Sequence, residues 1–291
     1  MNTATRPYYW SVRRELWENR SLYIAPLIVA AVQIIGFAFT TVGLADRRRA
    51  VLLLDDPAKQ RIAIEMPYDI AAMMMMLTAF IVALFYCLDA LHGERRDRSI
   101  LFWKSLPVSD LTAVLSKVTI PLVVIPLVAF AITVCVQLII LLITSVVLLV
   151  HGVSPATTLA HVSFFRSWVV LLYGWVALSL WDAPFYGWLL LVSGWARRAT
   201  FLWAVLPFLA LGIFEKITFG TQYFANFMKN RFMSFAAEAF DFRGQKTLCI
   251  DSLAQLTPGR FLSTPGLWVG LLLAVAFIAA AVRLRRYRGP I

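Results

Sequence analysis

The residues of this 291-residue chain with the most conspicuous chemistry lie in one run, residues 93–110 (GERRDRSILFWKSLPVSD), set between two long apolar stretches. Glu94, Arg95, Arg96, Asp97 and Arg98 carry both signs of charge in five consecutive positions, and Phe102 and Trp103 follow. A charge at the centre of a bilayer costs at least ~2.5 kcal/mol, so this run must project into water. Mixed charge beside large aromatics is the chemistry of a surface that docks a partner rather than one that makes or breaks bonds. The alternative is an ordinary basic loop that only fixes topology. Read as one short helix from Glu94 to Ser105, the run places Ile100, Leu101, Trp103 and Lys104 against protein and lipid. Glu94, Arg95, Asp97 and Arg98 then project outward, Pro107 ends the helix, and Ser109 has the chemistry to cap the next one.

Bond-making motifs are missing from the rest of the sequence. There is no H-E-x-x-H, Cys-x-x-Cys or G-x-S-x-G, and His92, His151 and His161 stand at no metal-ligand spacing. No phosphate-binding loop occurs either, so if nucleotide drives this protein another chain must bind it. Asp182 falls in the middle of an apolar run, and an intramembrane carboxylate is a candidate functional site. It has three readings: a cap at a helix break spanning 181–185 beside Pro184, a substrate or proton site, or a protein-pair contact. Asp89 lies one turn before Gly93, where an ion pair with Arg95 or Arg96 is expected. Met73 to Met76 fit either ordinary packing or an adaptable pocket.

The elements that must position these residues are set by composition. The chain is 60% hydrophobic and only 15% charged, which describes a polytopic membrane protein rather than a soluble core. Its net charge of +11 comes largely from arginines flanking apolar spans, not from a nucleic-acid-binding face. Cys87 and Cys135 sit in apolar runs and Cys249 has no evident partner, so no disulfide framework is indicated. No small-residue cleavage site follows the first apolar run, which reads as a retained span. Since about 20 apolar residues cross a bilayer, six spans are expected: residues 21–45, 70–88, 118–150, 167–196, 199–214 and 261–282. Pro121 and Pro126 predict a kink at the start of the third. Of the 27 Lys/Arg residues, 15 fall in segments on the same side as the termini, which places both termini and residues 93–110 in the cytoplasm.

The fold class expected is therefore an all-α, single-domain membrane protein with six transmembrane helices. Residues 1–20 form an amphipathic elbow with Tyr9, Val12 and Leu16 on one stripe and Arg13, Arg14 and Arg20 available to lipid headgroups. Residues 220–260 form an extracytoplasmic loop. Within it Phe224, Phe227, Phe232, Phe235 and Ala239 line one face of an amphipathic helix that dips into the interface or covers the mouth of a cavity.

Residues 85–110 (FYCLDALHGERRDRSILFWKSLPVSD), with Ser116 and Lys117 beyond, resemble the cytoplasmic loop of bacterial ABC-2-type transporter permeases, and the six-span layout is similar along the whole chain. The resemblance implies that this loop is a coupling helix docking on an ATPase, with Glu94, Arg95, Arg96, Asp97, Arg98, Phe102 and Trp103 at the matching positions. It implies a homo- or heterodimer of permease chains in the bacterial inner membrane, served by two copies of a P-loop ATPase that holds ATP and magnesium. This chain would carry no cofactor and no catalytic residue. It would export an amphipathic or hydrophobic cargo such as a lipid, drug or peptide. Two rivals remain: a proton-coupled transporter using Asp182 and Asp89, and a membrane sensor or scaffold that docks a partner without transport.

Overall fold

The computed structural model describes residues 5–105, 108–241 and 253–287. Pro107, Cys249 and Arg288 lie outside them. In chain order the helices are α1 (Thr5–Glu18), α2 (Ser21–Thr40), α3 (Leu44–Leu52), α4 (Pro57–Asp89), α5 (His92–Arg96), α6 (Ser99–Ser105), α7 (Asp110–Thr119) and α8 (Ile125–Val150). They continue as α9 (Ala156–His161), α10 (Phe164–Trp195), α11 (Thr200–Phe219), α12 (Tyr223–Met233), α13 (Phe235–Ala239), α14 (Pro258–Ser263) and α15 (Pro265–Tyr287). Among the described residues six helical segments are long and apolar enough to cross a membrane: α2, α4 with α5, α7 with α8, α10, α11 and α15. The six expected spans fall on these six segments, with several ends displaced.

Local chemistry explains most boundaries. Asp56 accepts from the Ala58 amide at 3.0 Å with Pro57 at the first helical position, the donor-free place where proline fits, and this starts α4 well before residue 70. Ser109 caps α7 as expected, its Oγ accepting from the Thr112 amide at 3.1 Å. Pro121 lies in a π turn, Ile120–Val124, that joins α7 to α8, and Pro126 follows in the first turn of α8: residues without an amide donor force the hydrogen-bond ladder to widen there. The first span stops at Thr40 rather than continuing to residue 45, because Gly43 turns the chain at φ +70° into the short α3.

The helix break expected at 181–185 does not form. α10 runs unbroken through Pro184, and Arg231 donates to the Trp181 carbonyl at 2.7 Å, supplying a donor within the turn that the proline disturbs. Asp182 is therefore interior to a helix and caps nothing. α10 is the central strut of the bundle, packed along α15 where Gly187 lets the backbones close: a Cβ at Gly187 would lie 3.3 Å from the Ala274 carbonyl oxygen. α4 and α8 also pack against α10, and α2 packs on α4 and α8. α11 is peripheral, with Ala204 its buried residue and most of its apolar side chains exposed, as a lipid-facing helix requires.

Candidate functional site: a buried ion cluster under the charged loop, and a cavity at Asp182

The charged run folds into two short helices rather than one. Asp97 ends α5, Arg98 turns the chain at φ +58°, and α6 begins at Ser99. This turn separates the charged residues from the aromatic ones and gives the five charges different fates.

Glu94 and Arg95 are buried, at 7% and 5% exposure, and do not project outward as the single-helix reading requires. Glu94 Oε1 accepts from Arg14 Nη2 at 2.9 Å and pairs with Lys117 Nζ at 3.2 Å, while its Oε2 accepts from Arg285 Nη2 at 3.3 Å. Glu15 extends the cluster: its Oε1 accepts from Arg14 at 2.8 Å and Lys117 at 2.9 Å, and its Oε2 accepts from the Tyr86 hydroxyl at 2.8 Å. Arg285 Nη1 donates to Asp110 Oδ1 at 2.8 Å. Three cations thus face Glu15, Glu94 and Asp110, contributed with them by α1, α5, α7 and α15, and the exposed Glu18 adds a pair to Arg14 at 3.4 Å, so the interior charges balance and are multiply hydrogen-bonded. A buried ionic group is tolerable on those terms and very costly on others. Burial alone would disfavour the charged Arg14 guanidinium, but Glu15, Glu18 and Glu94 more than offset it and raise its pKa above the ordinary value. Arg14 is consequently turned inward rather than offered to lipid headgroups; its guanidinium lies 3.8 Å from the Trp103 ring.

Arg95 does a second job. Its Nη1 donates to the carbonyls of Gly194 at 2.8 Å and Ala196 at 3.2 Å, placing a cation at the C-terminal end of α10 where carbonyls lack helical partners. Ser193 Oγ accepts from the amides of Leu91 and His92 at 3.0 and 2.9 Å, satisfying donors at the start of α5. α5 is thereby stitched to the end of α10, and Ile100, at 1% exposure, pins α6 beneath it.

What remains outward is a compact face: Arg96, Asp97 and Arg98 at the turn, and Leu101 and Phe102 at 58% and 60% exposure on α6. Of the side read as facing protein and lipid, Ile100 is buried, whereas Leu101 and Lys104 are exposed. Trp103 is half-buried between Phe102 and Arg14. Arg96 pairs at the surface with Asp89 at 3.8 Å, the ion pair expected for this position, and with Asp97 at 3.0 Å. On α1, Val12 and Leu16 pack against the core, whereas Tyr9, Trp10 and Trp17 stay exposed with Arg13 between the two indoles. That outer stripe suits a bilayer interface.

The ion cluster was not singled out from sequence. The available signals were Lys117 and Asp110 at the head of an apolar span, Glu15 beside Glu18 in the elbow, and Arg285 within the terminal basic run. Each reads alone as an interfacial charge, and only the packing brings them together.

Asp182 lies at a separate site, the wall of a cavity of about 380 Å³ lined by residues of α10, α11, α12 and α15. Phe185 and Trp188 of α10, Phe208 of α11, Phe227 of α12 and Phe277 of α15 line it. α12 follows α11 and folds back over the cavity, with Phe224 stacked on Phe208 and Phe232 edge-on to Phe185. Of the face expected on one amphipathic helix, Phe227 and Phe232 line the cavity, whereas Phe235 and Ala239 pack in a separate core with Phe240 and Phe261, and α12 and α13 are two helices rather than one. The Met73 to Met76 side chains do not line it; Met75 is buried in the main core and Met73 is exposed. Among the described residues no cluster of His, Cys, Asp or Glu has metal-binding geometry. Comparison of the chain with protein-family models and with curated proteins finds no match.

Proposed function

We propose that this chain is the membrane subunit of an ATP-driven exporter, working as a dimer of permease chains with two copies of a separate P-loop ATPase, in a bacterial inner membrane. The observation that carries the reading is the ion cluster beneath the loop between the second and third spans. It ties α5 and α6 to α1, to the head of α7 and to the end of α15, while Ser193 and Arg95 tie them to α10. A topogenic loop needs no such foundation. A lever does, because a push on its outer face must move helices rather than bend a loop. The outer face carries the groups a partner could grip: Arg96, Asp97, Arg98, Leu101 and Phe102. The resemblance of residues 85–110 to an ABC-2 permease loop supplies the identity of the partner. Closure of two nucleotide-bound ATPase subunits would tilt the second and third spans as a unit and open a path between permease chains. This chain would hydrolyse nothing and would need no cofactor of its own.

Purification from the native host tests the proposal. A P-loop ATPase should accompany the chain, and the chain alone should show no ATP turnover; a transport-competent preparation free of any nucleotide-binding subunit would overturn it and favour a proton-coupled carrier.

Orientation is part of the same proposal, with both termini, α5 and α6 in the cytoplasm. In a background with the native cysteines replaced, a cysteine at Asp97 should react with an impermeant maleimide only after the membrane is opened. One at the exposed Lys59, at the start of α4, should react in intact cells. The reverse pattern would place the docking face outside and end the coupling role.

A further inference from the structure

The Asp182 cavity has a chemistry that the exporter reading does not use. Asp182 is 7% exposed and lines the cavity, and among the described residues no hydrogen bond or ion pair within 4.0 Å reaches its carboxylate. The facing cation, Arg231, acts on it across space but makes no ion pair with it within 4.0 Å, because its guanidinium is held elsewhere. Its Nη2 donates to the Trp181 carbonyl at 2.7 Å, its Nη1 to the Gly266 carbonyl at 3.2 Å, and its flat face lies 3.8 Å from the Trp181 ring. Gly270 fixes this arrangement, since a Cβ there would stand 2.6 Å from Arg231 Nη2. Glu238, the other acidic group of the lining, accepts from Thr264 and lies 3.9 Å from Arg260. One buried acceptor is thus left without a donor at the wall of an aromatic chamber.

A buried polar group is normally hydrogen-bonded, and a carboxylate more stringently than most. The missing partner is a donor with an apolar body. We propose that this cavity binds an amphipathic amine, its ammonium donating to Asp182 and its apolar body packed among Phe185, Trp188, Phe208 and Phe277. Aromatic faces add a favourable electrostatic contribution for a cation. Arg231 offsets part of the attraction, but it is held in place by two carbonyls and an indole. A ligand acid would set a second anion beside Asp182, and the two Arg231 donors bound to the Trp181 and Gly266 carbonyls are not free to receive it. The cavity volume of about 380 Å³ admits a small bicyclic body.

The site belongs to the chain itself and is measured without nucleotide or partner, so its failure and the failure of the exporter reading are distinguishable. The full chain in nanodiscs of zwitterionic lipid is titrated with 5-fluorotryptamine and observed by fluorine NMR, with empty nanodiscs correcting for partition into lipid. Saturable broadening is expected with the wild type, and ~10-fold weaker binding in Asp182→Asn, which keeps the shape and removes the charge. The matched acid 5-fluoroindole-3-propionate should not bind saturably. Phe227→Trp, at an exposed position over the cavity, should also weaken the amine by filling its space while leaving the bundle intact, so the prediction survives a failure of Asp182→Asn to fold. No saturable amine binding, equal binding to Asp182→Asn, or a preference for the acid would overturn the proposal.

Discussion

Glu94→Gln is expected to destabilise the folded chain by about 3–5 kcal/mol, the range for removing one partner from a buried ion pair. The substitution preserves volume but takes away the charge that Arg14, Lys117 and Arg285 share. Arg14, Lys117 and Arg285 then keep only Glu15, Asp110 and the exposed Glu18, and Lys117 and Arg285, at 2% and 5% exposure, cannot replace the lost partner with water. Unfolding of the purified protein, followed by titration with a denaturing detergent, measures the loss. Lys117→Met should be harmful by itself, yet the double variant Glu94→Gln/Lys117→Met should lose less than the sum, because removing opposite charges together restores neutrality. Strict additivity would mean that the two groups do not interact and that the cluster is not a unit.

The fold was legible because its driving pattern is coarse. Twenty apolar residues between charges have few ways to fold in a bilayer, and all six spans could be placed from that rule. Ser109 could be recognised as a cap, and Pro121 with Pro126 as an irregularity, because those signals act within one turn of helix. The errors share a different cause. At 181–185 the sequence shows a proline and an aspartate, whose local preference is a break; the donor from Arg231 that stabilises the continuous helix comes from 50 residues away. Within 94–98 the five charges look equally solvent-bound in sequence, and helical periodicity cannot sort them because the left-handed turn at Arg98 resets the phase between α5 and α6. Burial of Glu94 depends on Arg14, Lys117 and Arg285, which come from the two ends and the middle of the chain. Long-range ionic pairing leaves no periodic trace.

That sorting changes which substitutions can test the docking role. Charge reversal of Arg95 would strip two carbonyls at the end of α10 of their donor and put a carboxylate against them, so its effect would be loss of fold rather than loss of a partner. The informative variant is Arg96→Glu/Arg98→Glu/Phe102→Ala, confined to the exposed face. Its unfolding should match the wild type, since Arg96 makes only surface contacts and Phe102 has most of its ring in water. The proposed ATPase subunit should nevertheless be lost on size exclusion, with affinity reduced ~100-fold or more, because interface energy concentrates in a few aromatic and arginine anchors. Coupling should fail with it: nucleotide added to the reconstituted pair should no longer change the spacing of labels on the second and third spans. Arg95→Ala should show the opposite profile, with lowered stability and a partner lost only in proportion to the unfolded fraction. A face variant that keeps its ATPase and still couples would reduce α5 and α6 to a topogenic loop, and the ion cluster beneath them would then serve stability alone.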